Sequence, residues 1–377
     1  MDYLIYILLL LVVIYISSLI SYIFGNLVKI YNHKSHHLNP VSIIIAVKNG
    51  EQSLPNILND LNNQNYDGES EYIIVDDQST DKTPDIIREY SKKNDKFIYV
   101  SSREGNQELI FKKRALDAGI QKSKHDILIF TDVDCRVKKG WVKSMALCFQ
   151  NQVDYVVGVS EISSPKNLIS RFQKIDLMMM MTAGRAACNL EKPIASTGQN
   201  QAYKKYLYYK NEGFIKIKDS IQGDDSLFMQ LCVKNDAYIK FNDDINSFVE
   251  SRIETNLNTF IKQRIRWAAD AKVMWRYNKE FFIILLATFF TNLILLLSPI
   301  IFIFIDNSFL KITYILFFIK FIFEFSIYII GNLKLKNKFN ALSFIIWYIL
   351  EIPYVVIAGI GSFFMKNIKW RGQLFNK

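Results

Sequence analysis

The chain has 377 residues, 50% of them hydrophobic and 22% charged, with a net charge of +10. Residues 3–28 and 281–305 contain no Asp, Glu, Lys or Arg, which excludes a plain soluble enzyme, while the polar, patterned residues between these segments exclude a fully membranous carrier. An aromatic content of 14% excludes a disordered chain, because disordered segments are depleted in aromatic residues.

The first predicted element is a membrane anchor over residues 1–28. Its apolar run meets the ~20 residues that a helix needs to cross the hydrocarbon core. A cleaved signal peptide would need a basic start and a small-residue cleavage site, whereas Asp2 opens the chain and Lys29, His33 and Lys34 follow the run. These trailing cations predict an uncleaved anchor, with the next domain on the cytoplasmic side.

Strands and helices alternate along residues 38–250, the predicted central domain. Short apolar runs predict buried strands at 41–47, 72–75, 97–100 and 127–130. Helical spacing predicts helices at 54–61, 84–90 and 112–120. This alternation indicates an α/β fold with a mainly parallel sheet, in which ligands bind at the carboxyl ends of the strands.

Two pairs of carboxylates follow predicted strands. Asp132 and Asp134 flank Val133, so both side chains can face one side and bind a hard divalent cation. Asp76 and Asp77 can accept hydrogen bonds from a base or ribose. The alternative for Asp132 and Asp134 is an ordinary turn at the end of a strand. The alternative for Asp76 and Asp77 is a turn that caps the next helix. GxGxxG after the first strand and GxxxxGK[ST] are both missing from the sequence, which argues against a dinucleotide site and a P-loop.

A third carboxylate pair, Asp224 and Asp225, precedes a predicted helix. The helix dipole favours acids at such a position, so a helix start is one interpretation. The other is a general base, because adjacent like charges raise the pKa of one carboxylate and assist proton abstraction from an alcohol.

The segment 251–280 is predicted to be an amphipathic interfacial helix. It contains Gln263, Arg264, Arg266 and Trp267 in the run QRIRW. Arg matches the geometry of phosphate and Trp offers a flat stacking face. An interfacial helix with snorkelling cations is the alternative, and we expect both roles.

Residues 281–365 are predicted to form two to three C-terminal spans. Lys320 and Glu324 interrupt one of them, but they are four residues apart and can pair on one helix face. Another contains Glu351. Four full crossings would place the basic tail, residues 366–377, outside, against the positive-inside rule. Either the tail breaks the rule or one C-terminal segment is re-entrant or interfacial.

Other features of the central region have simple interpretations. Its four cysteines (Cys135, Cys148, Cys188 and Cys232) form no CxxC pair and are predicted to be buried free thiols. The positive charge, mostly Lys spread along the chain, fits anionic lipid better than nucleic acid. Four consecutive methionines, 178–181, are either core filler or part of a lipid-acceptor site.

These motifs together resemble membrane-bound family 2 glycosyltransferases with the GT-A fold, which include cellulose, chitin and hyaluronan synthases and ceramide glucosyltransferase-like enzymes. Four matches occur in the family's order: VDDQSTDKT at 75–83, TDVDC at 131–135, GDD at 223–225 and QRIRW at 263–267. Residues 198–204 also resemble the family's GxNxAYR element. The run Ser226-Leu227-Phe228 departs from the pattern of hyaluronan-type synthases, which have an arginine there.

The resemblance implies roles for individual residues. Asp76 and Asp77 would contact the nucleoside, and Asp132 and Asp134 would hold the sugar nucleotide through a divalent metal, Mg²⁺ or Mn²⁺. Asp225, beside Asp224, would be the catalytic base. A second group would contact the diphosphate or the acceptor: Gln263, Arg264, Arg266, Trp267 and Lys112. Lys112 belongs to an element resembling GKxxAL in which Phe111 replaces the glycine.

The implied function is an inverting hexosyl or N-acetylhexosaminyl transfer from a UDP-sugar to a lipid or surface-glycan acceptor. The transfer would take place at the cytoplasmic face of the cell membrane. The protein would cross this membrane several times, contact membrane lipid and bind no nucleic acid. The alternatives are a processive polysaccharide synthase, a non-catalytic scaffold of a glycan-export complex, and a metal-dependent nucleotidyl or phosphoryl transferase.

Overall fold

A computed structural model describes residues 2–28, 38–149, 152–220, 222–304, 307–364, 367–370 and 373–376. The described strands are β1 (Val41–Val47), β2 (Ser70–Asp76), β3 (Phe97–Ser101), β4 (Ile127–Phe130), β5 (Arg136–Val137), β6 (Tyr155–Gly158), β7 (Ser160–Glu161), β8 (Gln201–Lys204), β9 (Ile239–Asn242), β10 (Val249–Glu250), β11 (Asn367–Trp370) and β12 (Gln373–Asn376). The described helices are α1 (Asp2–Leu27), α2 (Leu54–Asn62), α3 (Thr83–Lys93), α4 (Phe111–Lys122), α5 (Trp141–Ala146), α6 (Leu168–Asn189), α7 (Lys205–Lys210), α8 (Ser226–Lys234), α9 (Leu257–Ala268), α10 (Ala271–Met274), α11 (Lys279–Phe304), α12 (Asn307–Lys334) and α13 (Ala341–Phe364).

A seven-stranded sheet with the order β3-β2-β1-β4-β8-β6-β9 forms the centre of the domain. Its first four strands are parallel and confirm the four predicted apolar runs. Both faces of β1, β2 and β4 are buried, whereas β3 at the sheet edge is partly buried. Ile44 and Ile73 belong to one hydrophobic cluster and Ile43 and Ile74 to another. Continuous apolar runs are therefore favoured, because no side of the strand meets water.

One strand interrupts the parallel order. β8 is antiparallel to both of its neighbours, β4 and β6, whereas β6 and β9 are parallel. The sheet is therefore mixed and mainly parallel, as predicted. β8 includes part of the GxNxAYR-like element, so that element reaches the sheet directly beside the end of β4.

The parallel strands bring the predicted carboxylates to one edge of the sheet. β1 lies between β2 and β4, and all three run in the same direction. Asp76 ends β2, and Asp132 follows β4 after one residue. The carboxyl ends of parallel strands meet at the same edge, which is where such folds bind ligands.

Four of the described helices are long and apolar enough to cross a membrane, judged by length and composition: α1, α11, α12 and α13. They correspond to the predicted anchor and to the C-terminal segments. The cations Lys29, His33 and Lys34, which led to the predicted orientation of the anchor, lie outside the described residues. Lys366, Arg371 and Lys377 of the tail do so as well.

The predicted pairing inside the apolar helices is confirmed. Lys320 Nζ lies 2.8 Å from Glu324 Oε2 and also 2.7 Å from Glu351 Oε2 of α13. The four cysteines are buried free thiols, as predicted. The predicted continuous amphipathic helix is instead divided between α9 and α10, which Ala269 and Asp270 separate.

Candidate active site

A loop after β4 places a cluster of possible metal ligands at the sheet edge. Ligand atoms of Asp132, Asp134 and Cys135 all lie within 4.8 Å of one another. The two carboxylates are partly exposed, whereas the thiol is buried. Burial and the two neighbouring carboxylates raise the pKa of the Cys135 thiol well above its ordinary value. Because a protonated thiol is a poor ligand, the carboxylates are the chemically suited donors.

Lys112 joins two carboxylate groups that are far apart in sequence. Its Nζ lies 2.9 Å from Asp132 Oδ1 and 3.0 Å from Asp224 Oδ2. Burial alone would lower the pKa of this ammonium, but Asp132 and Asp224 outweigh burial, and the pKa is raised above its usual value. Lys112 is therefore a firmly charged link between the β4 loop and residues 223–225.

The residue before Lys112 has the backbone conformation that glycine favours. Phe111 has a φ of +53°, in the left-handed region that a bulky side chain rarely adopts. The family element has a glycine at this position, and glycine adopts this conformation without strain. Such strain costs about 1–3 kcal/mol and persists where the surrounding structure over-determines it.

Asp225 caps the start of α8 and has an altered pKa. Its Oδ1 accepts a hydrogen bond from the Ser226 N–H at 2.5 Å, at the start of α8. Its Oδ2 accepts one from the Gly198 N–H at 3.0 Å. Burial, followed by the charge of Asp224, raises the pKa of Asp225 to about 6. A carboxylate of this kind is ionised at neutral pH and is a stronger base than an ordinary Asp.

The carboxylates after β2 lie apart from this group. Asp76 is buried and its Oδ1 accepts a hydrogen bond from the Ser79 N–H at 3.0 Å. Asp77 is also buried, with its Oδ1 3.9 Å from Arg114 Nη2. Asp76 therefore stabilises the turn itself, and Asp77 faces a cation of α4.

The two arginines of QRIRW point to different partners. Arg264 is buried and forms an ion pair with Asp176 of α6, with 2.8 Å between Nη2 and Oδ2. Its guanidinium also lies 4.1 Å from the centre of the Trp267 ring. Arg266 Nη1 instead donates to Gln222 Oε1 at 3.4 Å, and Gln222 Nε2 donates to the Arg266 carbonyl at 2.9 Å. Arg266 is thus connected to the segment before residues 223–225, whereas Arg264 connects α9 to α6.

One cavity of about 1600 Å³ joins these residues to the long apolar helices. Its lining includes Lys112, Asp132, Asp134, Asp224 and Asp225. The lining also includes Gln263, Arg264, Arg266 and Trp267, together with residues of the helices α1, α6, α11, α12 and α13. Asp76 and Asp77 are not among its lining residues.

Comparison with known proteins identifies the family to which this domain belongs. The profile of glycosyl transferase family 2 matches residues 42–210, which extend from β1 to the end of α7. The chain contains a family 2 glycosyltransferase domain. A mannosyltransferase from Pyrobaculum calidifontis, solved in complex with GDP-Man and Mn²⁺, has the same fold, with a TM-score of 0.61 at 15% identity over 96% of this chain and 99% of that one. The fold of the transferase is therefore GT-A.

Relatives of the transferase include enzymes whose names contain a lipid-linked sugar. A dolichyl N-acetyl-alpha-D-glucosaminyl phosphate 3-beta-D-2,3-diacetamido-2,3-dideoxy-beta-D-glucuronosyltransferase of Methanococcus voltae is 27% identical over 70% of this chain and 82% of its own length. A beta-monoglucosyldiacylglycerol synthase of a Nostoc species is 33% identical over 30% of this chain. The chain spans 24% of that second protein.

The sequence analysis missed one charged residue that lines the cavity and one that is buried outside its lining. Asp270 lines the cavity, and burial, followed by Asp225 and Asp224, raises its pKa to about 7. Its spacing of four residues from Arg266 was the available signal. Lys113 is buried and its Nζ donates to the carbonyls of Ile217, at 2.8 Å, and Ser220. Adjacent lysines at the predicted start of α4 gave no indication that they point to different partners.

Gly198 allows the charged groups of the transferase to approach closely. A Cβ added there would lie 2.9 Å from Lys112 Nζ and 3.4 Å from Asp224 Oδ2. We expect Gly198→Ala to lower kcat/KM about tenfold, because displacing Lys112 would cost on the order of 1.4 kcal/mol. Steady-state kinetics with varied donor check this; Gly184→Ala, also in the cavity lining, is the control for donor kinetics because a Cβ there would meet its nearest atom at 3.8 Å. Equal kinetics for both variants would contradict the expectation.

Proposed function

We propose that the chain is an inverting glycosyltransferase that moves a sugar from a nucleotide diphosphate sugar to a lipid or surface-glycan acceptor at the cytoplasmic face of the cell membrane. The observation that carries the proposal is the single cavity, which runs from the carboxylates at the sheet edge to the apolar helices. A water-soluble donor and a membrane-bound acceptor can meet in a cavity of this kind.

Asp225 is the proposed catalytic base. Its two backbone hydrogen bonds hold the carboxylate in the cavity, and its raised pKa suits proton abstraction. The acceptor hydroxyl gives its proton to Asp225 as its oxygen bonds to the anomeric carbon. The bond from that carbon to the diphosphate breaks on the opposite face, and the nucleoside diphosphate leaves with the electron pair.

Asp132 and Asp134 are the proposed ligands of a divalent metal, Mg²⁺ or Mn²⁺. The fit rests on two hard carboxylate donors close together beside the cavity, which is the donor chemistry that such ions take. A bound ion would neutralise charge on the departing diphosphate. The mannosyltransferase of Pyrobaculum calidifontis, which has the same fold, was solved with Mn²⁺.

The remaining donor contacts come from cations and from the β2 turn. Arg266 and Lys112 line the cavity and can neutralise the diphosphate, and Trp267 can stack beside it. Asp76 and Asp77 lie at the same sheet edge and are proposed to contact the base and ribose. We propose a UDP-hexose or UDP-N-acetylhexosamine as donor.

A lipid acceptor accounts for the apolar part of the cavity. Met179, Met180 and Met181 of α6 line it, and Met180 is 39% exposed. Met178 belongs to the buried core, as the core interpretation of the methionine run predicted, whereas the other three flexible thioether side chains can adapt to an irregular apolar ligand. The lipid-linked sugars in the names of the relatives from Methanococcus and Nostoc agree with this choice.

The proposed organisation follows from these roles. Residues 1–28 anchor the chain, 38–250 form the catalytic domain, 251–280 lie at the membrane interface and 281–365 form the C-terminal membrane segment, followed by the tail at 366–377. Trp275 on the interfacial segment is 48% exposed, as an aromatic anchor at headgroup level would be.

The test is a panel of UDP- and GDP-sugars incubated with purified membranes that contain the protein, scored by release of nucleoside diphosphate. Membranes with Asp225→Asn serve as the matched control. We expect UDP release with one sugar and a labelled product that extracts with lipid. Release of pyrophosphate would instead indicate nucleotidyl transfer, and a labelled polymer would indicate a processive synthase.

A further inference from the structure

The orientation of the four apolar helices depends on which of their ends contact the catalytic domain. The end of α1 does: Asn26 Nδ2 donates to the Thr182 carbonyl of α6 at 3.0 Å, and Asn189 Nδ2 donates to the Gly25 carbonyl at 3.0 Å. α11 begins at Lys279, shortly after α10 ends at Met274. Its start therefore also lies on the side of the catalytic domain. If all four helices crossed the bilayer, the end of α13 would lie on the side opposite the catalytic domain.

α12 ends on the side of the membrane that holds the catalytic domain, called here the catalytic side, and α13 begins on that side. A Cβ at Gly331, near the end of α12, would lie only 2.5 Å from Thr182 Oγ1 of α6. The Tyr328 hydroxyl, one turn earlier, donates to the Asn340 carbonyl at 3.0 Å, directly before α13. The connection between α12 and α13 therefore lies beside α6, on the side of the membrane that holds the catalytic domain.

The other end of α13 also contacts catalytic-side elements. A Cβ at Gly361 would lie 2.6 Å from Ile265 Cδ1 of α9, and Lys272 Nζ of α10 lies 5.3 Å from the centre of the Phe363 ring. α9 contains Lys262, Gln263, Arg264 and Arg266 within twelve residues. A helix of this polarity does not lie at the centre of a bilayer, so the end of α13 is at the depth of the interface.

The middle of α13 continues the same contact. The Tyr354 ring lies 5.2 Å from the Phe172 ring of α6 and 5.6 Å from the Phe260 ring of α9. Its hydroxyl lies 3.5 Å from Asp176 Oδ2. A 24-residue helix is ~36 Å long, which is more than the ~30 Å hydrocarbon core. A crossing helix of this length would take one end away from both α6 and α9, and Pro353 provides a place where α13 can bend.

We infer that α13 is embedded in the membrane without crossing it, with both ends on the side of the catalytic domain. The crossings are then α1, α11 and α12, and the chain after Phe364 returns to the catalytic side. This arrangement removes the conflict with the positive-inside rule, because a basic tail belongs on the cytoplasmic side. It also makes α13 a wall of the cavity, to which it contributes Trp347, Glu351 and Tyr354.

The test is cysteine labelling in sealed membrane vesicles with a membrane-impermeant maleimide. The four native cysteines are buried. New cysteines are placed at exposed Lys122 of the catalytic domain, at Asn307 or Ser308, where α12 starts, and at Gln373 or Asn376 in the tail. Labelling after detergent solubilisation shows that each thiol can react, and two positions per region guard against an unreactive one.

We expect the tail cysteines to be labelled from the same side as Lys122→Cys, and those at the start of α12 from the other side. Tail labelling together with the start of α12 would overturn the inference, because α13 would then cross. Labelling of every position from one side would overturn it too, because α11 and α12 would not cross. The result needs neither donor nor acceptor, so it stands apart from the proposed activity.

Discussion

Asp225→Asn is expected to abolish sugar transfer while donor binding survives. The amide matches the carboxylate in size, but it cannot take a proton from the acceptor hydroxyl at neutral pH. General-base catalysis contributes about 10²–10⁴-fold, so we expect kcat to fall by at least about a hundredfold. The measurement is nucleoside diphosphate release in membranes, with donor affinity taken from binding of the radiolabelled nucleotide sugar.

The matched control is Asp236→Asn, which makes the same chemical change beyond the other end of α8. Asp236 is exposed and has a φ of +61°, a conformation that Asn tolerates well. This variant should turn over like the native protein. If Asp225→Asn also turned over normally, the assignment of the base would be wrong, whereas loss of donor binding would indicate a mainly structural role for Asp225.

The pH dependence of kcat/KM should report the same carboxylate. Because burial and Asp224 raise the pKa of Asp225 to about 6, the base is ionised above this pH and protonated below it. We therefore expect kcat/KM to be level near neutral pH and to fall about tenfold per unit below pH 6. A profile that stays flat down to pH 5 would contradict this role, provided that the protein remains folded throughout the range.

Sequence patterns predicted the parts of the fold in which one local rule decides the structure. β1, β2 and β4 were predictable because their residues are buried on both faces, so apolar runs mark them directly. The partly buried edge strand β3 was also marked by its apolar run. β8 was not predicted, because its antiparallel place between β4 and β6 depends on pairing with strands far away in the sequence.

In the candidate site, local sequence context was likewise predictable, whereas contacts between distant residues were not. The position of Asp132 after a strand and that of Asp225 before a helix were readable from neighbouring residues. The partner of Arg264 was not, because Asp176 lies 88 residues earlier and packing alone brings the two together. Asp270 was missed for a related reason: its altered pKa comes from burial and from Asp224 and Asp225, and none of these is visible within α9 or α10.

In the apolar helices, too, a contact within one helix was predictable and a contact between helices was not. Helical spacing predicted that Lys320 pairs with Glu324, whereas the contact with Glu351 requires that α12 and α13 pack together. The Lys320 side chain is fully buried, and its Nζ also lies 4.6 Å from the centre of the Tyr348 ring. The Tyr15 hydroxyl of α1 donates to Glu324, so the cluster connects three helices.

Lys320→Met is expected to destabilise the protein by about 3–5 kcal/mol, the usual cost of removing one partner from a buried ion pair. Methionine fills a similar length but leaves Glu324 and Glu351 buried together without a cation. The heat-unfolding midpoint of the purified protein in detergent should fall by at least about 5 °C. Lys311→Met is the matched control, because Lys311 is exposed near the start of the same helix and should change the midpoint little.

A triple variant separates lost charge pairing from lost packing. Adding Glu324→Gln and Glu351→Gln to Lys320→Met removes the two uncompensated carboxylates, while their size and their capacity to hydrogen-bond Tyr15 and Asn292 are retained. Neutral replacements of a complete buried charge cluster are often tolerated, so most of the lost stability should return. If the triple variant is no more stable than Lys320→Met, the effect of Lys320 comes from its aliphatic packing and its contact with Tyr348. If Lys320→Met itself is as stable as the native protein, the cluster does not hold α12 and α13 together.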